Sequence, residues 1–166
     1  MNTPVNPIAI ANYFIRKSID SGKELTPMKL IKLVYISHGW YLGITGKPLL
    51  PEAIEAWQYG PVVPSIYNEF KRYGKQPITE LVYDKVTNTY PIVVDADLIS
   101  FLDKIWYVYG NYDGLQLSAL THQQNTPWFT TWHKQGGKSS RAVMISDDLI
   151  KQHYQEKINK TVAATN

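Results

Sequence analysis

The segment that most constrains this chain runs from Thr26 to Gly46. Thr26-Pro27 is a helix start, a capping hydroxyl followed by a residue whose ring pre-sets the first helical turn. Leu30, Ile31, Leu33, Val34, Tyr35, Ile36, Trp40 and Leu42 then recur toward Gly43 and Gly46. At about 100° per residue the polar positions Lys29, Lys32 and Gly39 occupy an arc of roughly 80°, and the rest is apolar except Ser37 and His38. A helix apolar over most of its circumference must be covered by other elements, so this one is expected at the buried centre of the fold. Lys29 and Lys32, three apart on the narrow arc, read as a solvated stripe, with contact to an acidic partner as the alternative.

Several amphipathic segments are available to cover it. Asn6-Pro7 opens a helix through Ile8, Ala11, Ile15 and Ile19 that Ser21-Gly22 stops. Pro64 starts another, with Ile66, Tyr67, Phe70 and Tyr73 before Gly74. Asp95 and Asp97 begin the cleanest: Leu98, Phe101, Leu102, Ile105, Trp106 and Tyr109 fall on one face up to Gly110. Asp113-Gly114 and Thr126-Pro127 open shorter helices, and Ser146 caps a last one over about 147–158, with Asn159–Asn166 as a frayed tail. Between Lys47 and Pro64 the helical period is lost, and an extended segment is expected to enter a Gly60-Pro61 turn. Residues 78–94 read as a β-hairpin around Thr87-Asn88-Thr89. The expected fold is mainly α (α+β): a compact helical domain around a buried central helix with a small antiparallel β element. With 166 residues and no internal repeat or linker, one domain spanning 1–166 is expected.

Composition narrows the chemistry. The chain has no cysteine, which removes thiol nucleophiles, disulfides and Cys-based metal sites. His38, His122, His133 and His153 show no metal-ligand spacing, so neither metal nor cofactor is expected. No phosphate-loop, dinucleotide or nucleophile-elbow motif occurs; Gly136-Gly137-Lys138-Ser139 matches a phosphate loop only in its last residues. Glu52 and Glu55 stand near each other in sequence, and Asp95 and Asp97 are accounted for by helix capping. An enzyme is therefore not expected, the one hydrolase alternative resting on His122 with a carboxylate. The net charge of +3 is too mild to make nucleic acid the main partner, although Lys71-Arg72-Tyr73-Gly74-Lys75 and Lys134–Arg141 are locally basic. Met1–Pro7 carries no Lys or Arg before an apolar run, and Asn12, Arg16 and Lys17 interrupt the first apolar stretch, so neither a signal peptide nor a membrane span is expected and a cytoplasmic location is. What is in excess is aromatic surface: 12 Tyr, 5 Trp and 4 Phe against only 19% charged residues. Such rings provide large contact area at low entropic cost.

One ordered pattern has no catalytic explanation. Leu30, Lys32, Leu33, Tyr35, Gly39 and Trp40 form L-x-K-L-x-Y-x-x-x-G-W. Gly46-Lys47-Pro48-Leu49 follows, then Ile54 to Pro64 as I-E-A-W-Q-Y-G-P-V-V-P, Ile66-Tyr67 and Phe70-Lys71. Leu117 to His122 and Pro127-Trp128 complete it. Over residues 9–135 this resembles the Panacea antitoxin domain, the family that includes SocA-like antitoxins and phage-associated GepA proteins. The resemblance implies a bacterial, mainly helical domain that neutralises a cognate toxin by direct protein–protein binding. That toxin would be encoded by an adjacent gene, in a prophage or phage-defence setting. Some members act instead as adaptors to a Clp-type protease.

On that resemblance the partner-binding residues are expected to be Trp57, Tyr59, Gly60, Pro61, Tyr67, Lys71, His122 and Trp128. Gly60-Pro61 has a simpler reading as a turn. Trp57, Tyr59, Tyr67, His122 and Trp128 form either a satisfied core network or a docking pocket.

Overall fold

The computed structural model describes residues 3–165, and within them lie seven α-helices and a three-stranded sheet. α1 (Pro7–Ser21) is capped by the Asn6 side chain and ended by Gly22 in the left-handed region, φ +71°. α2 (Pro27–Thr45) is the central helix, and every residue from Lys29 to Gly39 is buried. α3 (Pro64–Phe70) runs into a short 3₁₀ turn, Lys71–Tyr73. α4 (Ala96–Tyr109) starts at the Asp95 cap, and α5 (Gly114–His122) carries a reciprocal Asp113/Gln116 capping box. α6 (Pro127–Phe129) continues as a π-helical stretch, Thr130–Lys134. α7 (Asp147–Thr165) closes the chain, so the helix runs on through most of the expected tail, and Asn166 lies outside the described residues.

α7 crosses α2 at very short range, and two glycines make this possible. A Cβ on Gly39 would sit 2.1 Å from Tyr154 Cε2, and one on Gly43 would sit 2.7 Å from Tyr154 Cβ. The i, i+4 pair cuts a notch along one face of α2 that the buried Tyr154 ring fills, with Trp40 packed edge-on at 5.2 Å. The start of α7 is pinned as well. His38, fully buried, accepts a hydrogen bond from the Leu50 amide at Nδ1 (3.3 Å) and donates from Nε2 to Asp147 (3.0 Å).

The β element is not where the alternation around Asn88 predicted it. Residues 78–94 form no strands: a single antiparallel bridge joins Asp84 to Thr89 beneath the Asn88 turn (φ +52°). The stems are held by a side chain. Buried Asn12 on α1 donates to Val82 O (3.0 Å) and Pro91 O (2.9 Å) and accepts from the Val82 amide (2.8 Å), which removes the need for a ladder. The sheet is built from β1 (Ile54–Trp57), β2 (Gly60–Val62) and β3 (Val143–Ile145), all antiparallel in the order β2-β1-β3. The β1–β2 turn is Gln58-Tyr59, two residues earlier than expected, because Gly60 and Pro61 already pair with Trp57 and Ala56. Neither turn residue has a positive φ; Gly60, at φ +114°, absorbs the reversal.

Lys29 and Lys32 do not form a solvated stripe. They are 4% and 2% exposed, because α4 and α5 close over one side of α2 and the β1–β2 hairpin over the other. Each ammonium ends on a main-chain carbonyl: Lys29 on Gly110 (2.6 Å) and Lys32 on Pro61 (3.0 Å).

Candidate partner-binding site

The β1–β2 turn is braced from beneath by side chains of three helices, and their targets are nearly consecutive carbonyls. Trp57 O accepts from Trp128 Nε1 (2.7 Å), Gln58 O lies 3.1 Å from His122 Nε2, Tyr59 O accepts from Ser118 Oγ (2.8 Å), and Pro61 O accepts from Lys32 Nζ (3.0 Å). A tight turn leaves such groups without ladder partners, and satisfying them from the core fixes the turn rigidly. His122 Nδ1 also faces Ser118 O at 2.6 Å, the i−4 carbonyl of its own helix. The imidazole stacks at 4.1 Å on Trp128, which is only 4% exposed. Gly60 is required by space as well as by its φ, since a Cβ there would meet Lys32 Nζ at 2.9 Å and Thr121 Oγ1 at 3.1 Å.

On the opposite side of the turn the rings face outward. The Tyr59 side chain is 64% exposed. Trp57 and Tyr67 pack edge to face with centroids 4.6 Å apart, the Trp57 indole donates to Glu55 (2.7 Å), and the Lys71 ammonium lies 5.9 Å over the Tyr67 ring. Between the start of α2, the hairpin and α3 these residues wall a groove of about 480 Å³, with Met28, Ile31 and Val62 as apolar lining and the buried Lys32 among its lining residues. Burial pushes the Lys32 ammonium down to about 7, since removing a cation from water favours its neutral form.

The structure thus divides the eight residues expected at the site. Trp57, Tyr59, Tyr67 and Lys71 line the open groove, whereas Gly60, Pro61, His122 and Trp128 belong to the bracing beneath it. The five residues that read as either a core network or a docking pocket therefore lie on two faces of one turn, His122 and Trp128 in a hydrogen-bonded network beneath it and Trp57, Tyr59 and Tyr67 on an open groove. Ser118 carries no signal of its own in the sequence beyond lying inside the motif; for Lys32 the sequence favours a solvated stripe over contact with an acidic partner, and the structure buries it, as a lysine in a helix apolar nearly all round could have signalled.

The catalytic alternatives gain no geometry. His122 contacts carbonyl oxygens, the Ser118 hydroxyl and the Trp128 ring, and no carboxylate hydrogen-bonds it. Glu52 caps the start of α3 through the Ser65 amide (3.1 Å) and hydroxyl, while Glu55 holds the Trp57 indole, so the two carboxylates serve separate roles. Among the described residues no three His, Asp or Glu side chains converge as metal ligands, and no helix is long and apolar enough to cross a membrane.

The class these features define is a helix-rich protein that presents a rigidly braced hairpin beside a concave aromatic groove. The chain belongs to the antitoxin SocA-like, Panacea domain family, whose family model matches residues 30–129, the stretch that supplies α2, the hairpin, α3, α5 and Trp128. It is 27% identical over 164 residues to antitoxin SocA of Caulobacter vibrioides (strain NA1000 / CB15N), covering 95% of this chain and 87% of that protein. No solved structure matches the chain.

Proposed function

We propose that this protein is an antitoxin that neutralises a cognate toxin by binding it directly, using the groove walled by Trp57, Tyr59, Tyr67 and Lys71 as the docking surface. The observation that carries the reading is that the family match covers most of the residues that line the groove and all four whose side chains brace its hairpin. A rigid turn supports it physically: a surface ordered before the encounter loses little conformational entropy on binding, and aromatic anchors dominate interface energetics. The role is one of binding rather than turnover, in the bacterial cytoplasm, with the toxin encoded by the adjacent gene.

The test is co-expression. The neighbouring open reading frame arrests growth when expressed alone, this chain relieves the arrest, and the two proteins co-purify. A harmless neighbour, or arrest that persists in the presence of this chain, sinks the reading. Relief maintained in a host lacking Clp proteases supports neutralisation by occupancy; relief lost there, with toxin levels restored, replaces it with presentation to a protease.

A further inference from the structure

Lys32 and Lys29 are both buried with a main-chain carbonyl as acceptor, but Lys29 also lies over the Trp106 ring at 5.2 Å, and of the two only Lys32 lines the groove. Lys32 is buried, has Pro61 O as the hydrogen-bond acceptor of its Nζ, and has no Asp or Glu oxygen within 4 Å. When protonated the amine carries three donors, of which Pro61 O accepts one. Buried charges are ordinarily paired, and an unpaired one is costly. A neutral side chain entering the groove would supply an acceptor without a counter-charge; a carboxylate supplies both.

The surroundings carry the same sign. Lys71, in the groove lining, sits over the Tyr67 ring and its neighbour Arg72 over the Tyr73 ring, and with the exposed Lys75 none of the three makes an ion pair with a described carboxylate. The groove lining is largely apolar and aromatic, with Lys32 and Lys71 as its two cations. We infer that the groove receives an acidic segment of the partner protein, one Asp or Glu side chain reaching the Lys32 ammonium between flanking apolar residues that pack on Trp57 and Tyr67. The inference rests on the antitoxin reading for the identity of that partner. It does not rest on it for the chemistry of the site.

The same geometry separates a protein segment from a nucleic acid. A nucleic acid presents its charge as a continuous backbone that tracks a basic surface, with bases stacking on aromatics. In this groove one cation, Lys32, is buried among apolar and aromatic residues, an arrangement that suits a single acidic side chain rather than a continuous charged backbone.

The isotope-labelled full chain is titrated with two capped tripeptides, acetyl-Leu-Asp-Leu-amide and acetyl-Leu-Asn-Leu-amide, following the Lys32 Cε and Nζ and Trp57 indole resonances by NMR. The expected result is that the Asp peptide binds about ten-fold more tightly than the Asn peptide and moves both Lys32 and Trp57, as a charge-matched contact requires. Lys32→Met abolishes the preference; Lys71→Ala weakens both peptides and leaves the preference intact. Equal affinity for the two peptides, or an Asp peptide that moves only Lys71 and Lys75, overturns the inference without a variant having to fold. So does an oligothymidylate that displaces the peptide and binds more tightly, which would assign the groove to nucleic acid. In cells the two failures differ: a wild-type chain that does not relieve toxicity refutes the antitoxin reading, whereas relief by both wild type and Lys32→Met refutes the pairing of Lys32 with a partner carboxylate.

Discussion

Lys32→Met is the perturbation whose consequence follows most directly from the structure. Methionine nearly matches the lysine stem in length and removes the charge. In the unfolded chain Lys32 titrates at the ordinary lysine value of 10.5, and in the fold at about 7. Between those values the unfolded chain binds a proton that the folded chain lacks, so stability rises with pH across that interval and the burial penalty is fully present below it. Linkage gives a gain of about 2–3 kcal/mol from Lys32 between about pH 6 and about pH 9. Lys29 and Lys157, also lowered mainly by burial, add slopes of the same sign, and the raised Tyr35 and Tyr154 act only at more alkaline pH, where they reverse it. The informative quantity is therefore the difference between wild type and Lys32→Met, from urea unfolding followed by circular dichroism across the pH series. At neutral pH the variant is expected to be more stable by about 1–3 kcal/mol, because the relieved burial cost exceeds the loss of the Pro61 hydrogen bond. The advantage shrinks as pH rises. A pH-independent difference, or a variant less stable than wild type at neutral pH, refutes the reasoning.

Three further substitutions test the scaffold. Gly39→Ala drives a methyl into the Tyr154 ring, so overpacking of about 1–3 kcal/mol outweighs the roughly 1 kcal/mol gained in helix propensity, and Tyr154→Leu in the same chain recovers part of the loss in thermal unfolding. Asn12→Ala deprives the 82–91 stems of three hydrogen bonds at a cost of about 2–4 kcal/mol, and hydrogen exchange reports loss of protection at the Val82 amide. Trp128→Phe keeps most of the packing and removes the donor to Trp57 O, costing about 1–2 kcal/mol and raising exchange at the hairpin amides rather than in α2.

What the sequence made legible follows from where its signals are local. The starts of α1, α2, α4 and α5 were readable because a capping side chain and the helix it opens are neighbours in the chain, and the structure places Asn6, Thr26, Asp95 and Asp113 in those roles. The hairpin around Asn88 was misread because alternation cannot distinguish a ladder from two extended stems tied to Asn12, some 70 residues away. β3 was invisible: it is three residues long and acquires meaning only by pairing with β1 across most of the chain. The same limit applies to the site. Trp57, Tyr59, Tyr67 and Lys71 stood out by residue type, but which face of the turn each occupies depends on His122, Ser118 and Lys32 arriving from other helices. For Lys32 the helical wheel favours a solvated stripe over contact with an acidic partner, because it reports polarity and not what covers the residue.

The most direct test of the central claim is to map where the toxin sits. Tyr59→p-benzoylphenylalanine, at the exposed tip of the braced turn, is irradiated in the purified complex beside Tyr107→p-benzoylphenylalanine, at an 85% exposed position on α4 outside the groove lining. Both side chains are open to solvent, so reactivity with a partner reports position rather than access. The expected result is a covalent adduct with the toxin from position 59 and none from position 107. An adduct from position 107 with none from position 59 would contradict the assignment of the groove as the docking surface.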